Sequence, residues 1–510
     1  MSVRAKLLLM ATSATLIGAC TVNPVTGKSE LSGMSEQQEI SIGEENYGSM
    51  QQAEGGEFDI DPELTEYVQG VGDRLAAVSD RQLPYEFVVL NNGVPNAWAL
   101  PGGKIAVNRG LLTELQSESE LAAVIGHEIV HAAAGHTSQR QGRTSVLQGI
   151  LLGAAIATGG SDYAVGGANL GAQLINQQYG QGDELESDKY GMKYMSLAGY
   201  DTQGAVTLQK TFVRLSEGKQ QDWLNGLFAS HPPSQRRVDA NIETAKAYPA
   251  DGEQGVEAFQ AAMKKTMMVK PAYDTYDEGR KLLSDGNAEE AIAKADEAIA
   301  SFADEAHFYA LRGDARLLNE EYSMAVTNYD SAIRRRDGFF YYYLQRGRTK
   351  EKLEDYDDAV ADLEKSNSML PTSVAYFSLG RIAGEKGDTA TAIKHFEKVA
   401  GGKGDVAVAA QTELAKLDLS DNPHKYILKR CDADSTGMLI VTVKNNTGLA
   451  VDNVGFVVEF TDAYGRARRE ARRVAATLDG GEVVSVNTGL GPYSAGGNCP
   501  VRITSARIAR

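Results

Sequence analysis

Positive charge is what this chain is short of. Against 68 Asp and Glu it carries 51 Lys and Arg, a formal net charge of −17 over 510 residues. That balance argues against nucleic acid as a partner and against adhesion to an anionic membrane through a basic patch. Long apolar runs are scarce too. After the first twenty residues the candidate is Val146–Ala157 (VLQGILLGAAIA), short against the roughly 20 residues a helical span needs. It is expected as a packed helix or a lid, not a membrane span. Cysteine occurs only at positions 20, 431 and 499, and histidine at seven positions in all. The rest is ordinary globular composition, 42% hydrophobic and 23% charged. One core rarely serves beyond about 250–300 residues, so several domains are expected.

What is present starts with a leader. Arg4 and Lys6 precede an apolar stretch from Leu7 to Ile17, the form of a secretory signal over residues 1–20. It ends Leu16-Ile17-Gly18-Ala19-Cys20, and small residues before such a cysteine resemble a bacterial lipobox. The resemblance implies cleavage before Cys20 and lipid attachment to it, so the protein would be anchored by lipid and would not span. Thr21, which is not Asp, favours the periplasmic side of the outer membrane. In that oxidising compartment Cys431 and Cys499, which flank one C-terminal segment, are expected to form a disulfide.

The remaining chain divides by pattern. Residues 21–34, with Asn23-Pro24-Val25-Thr26-Gly27 as turn chemistry, are expected as a tether. A domain follows over 35–265. It has helical patterns near 35–50 and 62–80, then two apolar runs separated by Asn96-Ala97-Trp98-Ala99-Leu100-Pro101-Gly102-Gly103, which read as a small sheet with a glycine turn. From 273 to 418 the chain repeats. Gly279, Gly313, Gly347 and Gly380 share a period of about 34 residues with Ala291, Ala325, Ala359 and Ala392. That is the tetratricopeptide signature, an α-helical solenoid that binds protein on its concave face. Tyr341-Tyr342-Tyr343 could lie on that face or fill the core. Residues 424–510 alternate or run apolar between glycine and asparagine turns and are expected as a small β-sandwich.

The chemistry concentrates at His127-Glu128-Ile129-Val130-His131. On a helix His127 and His131 lie one turn apart on one face, so both imidazoles reach one metal ion. Glu128 can serve a metal-held water without binding the metal, the arrangement of a zinc hydrolase. Ser117 followed by Glu120 has capping-box form, and Gly135 suits the helix end. His136 comes too soon for a longer zincin motif and is expected as a helix-end or surface histidine. A third ligand is wanted. Glu184 and Asp188, four apart on one helix face, offer a ligand and a partner for a ligand histidine, although the same spacing suits a solvated face. Glu186 points elsewhere.

These motifs resemble the gluzincin proteases of metallopeptidase family 48, over about residues 21–245. The pentapeptide, Glu184-x-x-x-Asp188, Asn96-Ala97-Trp98-Ala99 and Ser230-His231-Pro232-Pro233 through Arg237 occur in the family's order. Ser187 stands where the family usually has Ala. The resemblance implies one Zn2+ per chain held by His127, His131 and Glu184. It also implies Asp188 orienting a ligand, Glu128 as base, and a substrate strand at Asn96–Ala99. His231 and Arg237 would stabilise the oxyanion, or His231 would act as a latch on the open metal position. Lipoprotein members with C-terminal tetratricopeptide repeats have the same domain order. The expected fold is therefore multidomain: an α+β gluzincin protease domain, mostly helical with a small sheet, then the solenoid, then the sandwich. The expected activity is endopeptidase action on misfolded or stalled envelope proteins, with a protein partner on the repeats. The alternative is a chaperone-like or assembly scaffold whose protease site is auto-inhibited.

Overall fold

A computed structural model describes residues 20–31, 34–139, 179–218, 231–462, 465–492 and 499–509. The leader up to residue 19 and the apolar run Val146–Ala157 lie outside these residues. Among the described residues no helix is long and apolar enough to cross a membrane. The chain divides into two compact units. One holds the described residues up to 354 and 365–370, the other 355–364 and 371 onward. The division falls inside the repeats and not at either end of them.

The first unit begins with a difference from the expected tether. β1 (Cys20–Val22) pairs antiparallel with β2 (Ser29–Leu31), because Asn23 Oδ1 accepts the Val25 and Thr26 amides and closes a tight turn. Helices α1 (Glu36–Ala53) and α2 (Pro62–Ala76) lead to strands β3 (Glu86–Leu90), β4 (Ala97–Leu100) and β5 (Lys104–Asn108). Their order is β3-β5-β4, with β3 parallel and β4 antiparallel to the central strand, so β4 has a free edge among the described residues. After the short α3 (Arg109–Leu112) comes α4 (Glu118–Ala134), which is buried along its whole length. Ser117 Oγ accepts the Glu120 amide at 3.2 Å, and Glu120 accepts the Gln116 amide at 2.7 Å. Gly135, at φ +68°, ends the helix in the left-handed region that glycine adopts freely.

Helices α5 (Gln181–Leu197) and α6 (Gln203–Gly218) pack against α4, and α7 (Gln235–Ala245) packs on both of them. The α4–α5 crossing is tight. A Cβ on Gly191 would lie 3.1 Å from the Gly126 carbonyl carbon and 3.1 Å from the His127 nitrogen. Glycine on both helices lets the backbones touch.

The expected gap between 265 and 273 does not exist. α8 (Val256–Ser284) runs through it as one helix of 29 residues. Phe259, Met263, Val269, Ala272 and Tyr273 pack into the core of the first domain. Further along, a Cβ on Gly279 would meet Leu311 at 2.8 Å, the packing of a first repeat. Helices α9 (Ala288–Ser301), α10 (Ala306–Leu318), α11 (Tyr322–Arg335) and α12 (Phe340–Lys352) continue the array. Two of the periodic glycines face aromatic rings of the partner helix: Gly313 faces Tyr329, and in the second unit Gly380 of α14 (Ser373–Glu385) faces Phe396 of α15 (Thr389–Ala400). α13 (Tyr356–Met369) lies between them in sequence. Tyr342 is fully buried, and the Tyr341 hydroxyl donates to Asp314 at 3.0 Å. The Tyr342 ring fills the interior, and the Tyr341 ring is half-buried.

The second unit ends in α16 (Asp405–Asp418), α17 (Pro423–Tyr426) and six strands: β6 (Ile427–Ala433), β7 (Leu439–Asn445), β8 (Val451–Thr461), β9 (Ala467–Arg473), β10 (Val483–Asn487) and β11 (Val501–Ile508). They form two antiparallel sheets, β10-β7-β6 and β11-β8-β9. Leu439, Val441 and Val443 from one and Phe456, Val458 and Ile503 from the other share a core. Cys431 and Cys499 are joined by a disulfide, with their Cα atoms 6.0 Å apart.

Inside the first unit a buried polar cluster joins the repeats to the first domain. Glu305 accepts from Asn91 at 3.0 Å, from the His307 amide at 2.8 Å and from the Tyr273 hydroxyl. His307 Nε2 donates to the Gly55 carbonyl at 3.1 Å. Burial pushes the His307 imidazole down to about 4, with Glu305 opposing and Arg336 reinforcing. The unfolded chain protonates this ring near 6.5. Between about 6.5 and 4 it therefore binds a proton that the folded protein refuses, and stability falls as pH falls through that window. Thermal melting between pH 7.5 and 5 checks this. His307→Gln should flatten the decline, by at most about 1.4 kcal/mol per pH unit.

Candidate metal centre

The helical spacing of α4 brings His127 Nε2 and His131 Nε2 to 2.9 Å. α5 delivers Glu184 against them across the Gly126–Gly191 contact, with its carboxylate oxygens 3.6 Å from His127 Nε2 and 3.4 Å from His131 Nε2. From the segment just before α7, His231 Nδ1 comes within 3.0 Å of Glu184 and 3.3 Å of His127 Nε2. Ligand atoms of all four residues lie within 4.8 Å of one another, and all four side chains are buried. Imidazole nitrogens this close cannot both keep lone pairs facing each other without a proton or a cation between them. The donor set and its spacing fit a metal ion.

Charge around the donors is balanced by one arginine. Ser234 Oγ accepts the Arg237 amide at 3.3 Å and starts α7, so that Arg237 reaches inward from its first turn. The guanidinium takes both Asp188 oxygens at 2.7 Å, and its Nη1 lies 2.7 Å from Glu184. Asp188 in turn holds His127 Nδ1 at 2.9 Å, which leaves Nε2 of that ring to face the other donors. Burial works against ionised Asp188, but Arg237 outweighs it and holds the carboxyl below the usual range. Burial also opposes ionised Glu184, and His231 and His127 hold it well below its ordinary value. Arg237 is thus tied to Asp188 and Glu184 and positions both, while it also lines the cavity beside Glu128.

Glu128 differs from the other acids. Burial raises its pKa, against the pull of His231 and His127. Its Oε1 lies 3.7 Å from His231 Nε2, and its Oε2 is buried with no hydrogen-bond partner. An orphaned carboxylate oxygen beside metal donors is where an activated water would be held. A small cavity of about 30 Å³ opens there, with Glu128, His127 and His231 on its polar side and Met192, Met195 and Leu208 on its apolar side. That is room for a water molecule.

The other expected residues are placed as follows. Ala97 and Ala99 of β4 belong to the core that includes α4. Trp98 points the other way, into a cluster with Tyr47, Met50 and Leu100, edge-on to the Tyr47 ring at 6.1 Å. Its ring is core, because alternate side chains of a strand face opposite sides. Cys20 lies in β1. His136 is the clearest departure. It is buried, with its Nδ1 2.9 Å from His131 Nδ1 and its Nε2 3.2 Å from Glu186. Tyr179, missed in the sequence, lays its ring 3.8 Å from that of His131 and 5.0 Å from that of His231.

Comparison with known proteins agrees with this geometry. A profile described as peptidase family M48 matches residues 62–245, and one described as tetratricopeptide repeat matches 340–371 and 373–401. The chain is 32% identical over 198 residues to a beta-barrel assembly-enhancing protease of Yersinia pestis, covering 37% of this chain and 40% of that one. It is 28% identical over 295 residues to the Escherichia coli protein of the same name, covering 53% and 58%. It is 28% identical over 243 residues to the E. coli metalloprotease YcaL, covering 46% of this chain and 93% of that one. The match thus spans less than two thirds of either assembly-enhancing protease. The domain that builds the metal centre belongs to peptidase family M48, and tetratricopeptide repeats follow it.

Proposed function

We propose that the protein is a zinc-dependent endopeptidase of the bacterial envelope, lipid-anchored through Cys20 on the periplasmic side of the outer membrane, acting on misfolded or stalled envelope proteins. The observation that carries this reading is the buried set His127, His131 and Glu184 with the unpartnered Oε2 of Glu128 beside it. His127, His131 and Glu184 would hold the zinc, a ligand set of nitrogen and oxygen that suits it. When bound, zinc supplies an acidified water and polarises a substrate carbonyl. Glu128 would accept a proton from an attacking water on Oε2 and return it to the leaving amide nitrogen. Its raised pKa suits a group that must both accept and release a proton. Arg237 and Asp188 fix the His127 ring and Glu184 throughout. The free edge of β4 can add an extended substrate segment by backbone pairing, which favours unfolded chains over any one sequence. The names of the Yersinia and E. coli relatives point to outer-membrane protein assembly as the setting. The repeats would bring in a protein partner there.

A second reading has its own observation. His231 Nδ1 lies among the metal donors, 3.0 Å from Glu184 and 3.3 Å from His127 Nε2. Placed there, His231 blocks the position that substrate needs, and the resting protein is an auto-inhibited protease or a chaperone-like scaffold.

Cleavage of casein or another unfolded chain separates the two. Glu128→Gln should retain one zinc per chain and lose activity at least about 100-fold. A Glu128→Gln protein as active as wild type would end the mechanism. His127→Ala should bind no stoichiometric zinc by elemental analysis. His231→Ala should raise cleavage several-fold if the ring is a latch, and lower it if the ring assists the reaction.

A further inference from the structure

His127 and His131 both present Nε2 to the donor cluster, yet their far nitrogens are held differently. For His127 the holder is Asp188, bracketed by Arg237. For His131 it is another histidine. His131 Nδ1 and His136 Nδ1 are 2.9 Å apart, and His136 Nε2 lies 3.2 Å from Glu186 Oε1. Both imidazoles are buried, and the Glu186 side chain is 18% exposed.

Two like ring nitrogens at that distance share one hydrogen. There are two ways to place it. With the hydrogen on His131 Nδ1, that atom donates to a bare His136 Nδ1, and His131 Nε2 keeps the lone pair a metal needs. His136 then carries its own hydrogen on Nε2, which donates to Glu186. With the opposite placement, His136 Nδ1 donates to His131, whose hydrogen moves to Nε2 and closes the site to metal. In that case His136 Nε2 is bare and faces a carboxylate oxygen, two acceptors at 3.2 Å with nothing between them. Glu186 penalises the second arrangement and selects the first.

We propose that His136 and Glu186 are positioning residues that fix the metal-binding tautomer of His131. Glu186 itself is held from outside. Asn23 Nδ2 reaches the same Oε1 at 3.5 Å and bonds Glu30 at 3.0 Å, so the Asn-Pro-Val-Thr-Gly turn of the amino-terminal hairpin closes over the pair. That gives the turn motif a structural task beyond tethering. The inference rests on the reading that His127, His131 and Glu184 hold zinc.

Zinc affinity of the full chain, measured by competition with a chromogenic chelator, tests it without any protease assay. Outer partners of this kind are worth about 10- to 100-fold in metal affinity. His136→Ala and Glu186→Ala should weaken zinc by that factor. His136→Asn, which restores an acceptor near Nδ1, should recover a large part. The cobalt-loaded Ala variants should show shifted visible bands, a change that loss of packing far from the ion would not cause. Glu186→Gln, at a partly exposed position, keeps the test alive if His136→Ala does not fold, and should fall between wild type and Glu186→Ala. Affinity within about twofold of wild type in both alanine variants would overturn the proposal while leaving the zinc reading intact. A wild type that takes up no zinc would remove both.

Discussion

The contact on which everything else rests is the close approach of two helices at Gly126 and Gly191. A Cβ on Gly191 would lie only 3.1 Å from the His127 nitrogen, so even alanine there asks the backbones to give by a few tenths of an ångström. Helix α4 carries His127, Glu128 and His131, and α5 carries Glu184, Glu186 and Asp188. Side chains must therefore reach across a gap set by backbone on backbone. A carboxylate on a short Asp188 arm touches the ring one helix away, and Glu184 lies between two histidines. A shift of about 1 Å in such a crossing is enough to spoil a metal geometry or a proton transfer.

Burying so many ionisable groups in one place is costly unless each is paired. Three carboxylates, four imidazoles and one guanidinium meet here. Arg237 answers Asp188 and Glu184 at once, and His136 hands the demand of His131 outward to Glu186, near the surface. Glu128 is left incompletely satisfied. Its Oε2, like that of Glu184, is buried without a hydrogen bond, the kind of local cost that persists at sites of chemistry.

Much of this was legible in the sequence where the signal is local or periodic. Five residues of α4 announced the donors because a helix turns every 3.6 residues. Glu184 and Asp188 were visible as an i, i+4 pair, but spacing alone left them divided between a site and a wet face. His231 and Arg237 were reachable only through family resemblance, since nothing nearby in sequence says that a loop some hundred residues on returns to α4. His136 was misjudged because the left-handed Gly135 sets the next side chain against His131: the helix end was visible, the direction taken after it was not. Trp98 was placed at the substrate strand, and the pleat sends its ring to the other face. The repeats showed plainly through their period. The boundary near 265–273 did not, because α8 satisfies two cores with two ends of one amphipathic helix.

That shared helix has a consequence for how the protein is assembled. Domains in tandem are usually separable, joined by exposed linkers across which few contacts pass. Here the first helix of the solenoid is rooted in the peptidase core by Phe259, Met263, Val269 and Tyr273, and the Glu305 cluster ties the next helices to Gly55 and Asn91. The start of the repeat array is a graft, not a bead on a string. Severing it near residue 265 would leave half a helix on each side and open the catalytic domain along its own interior.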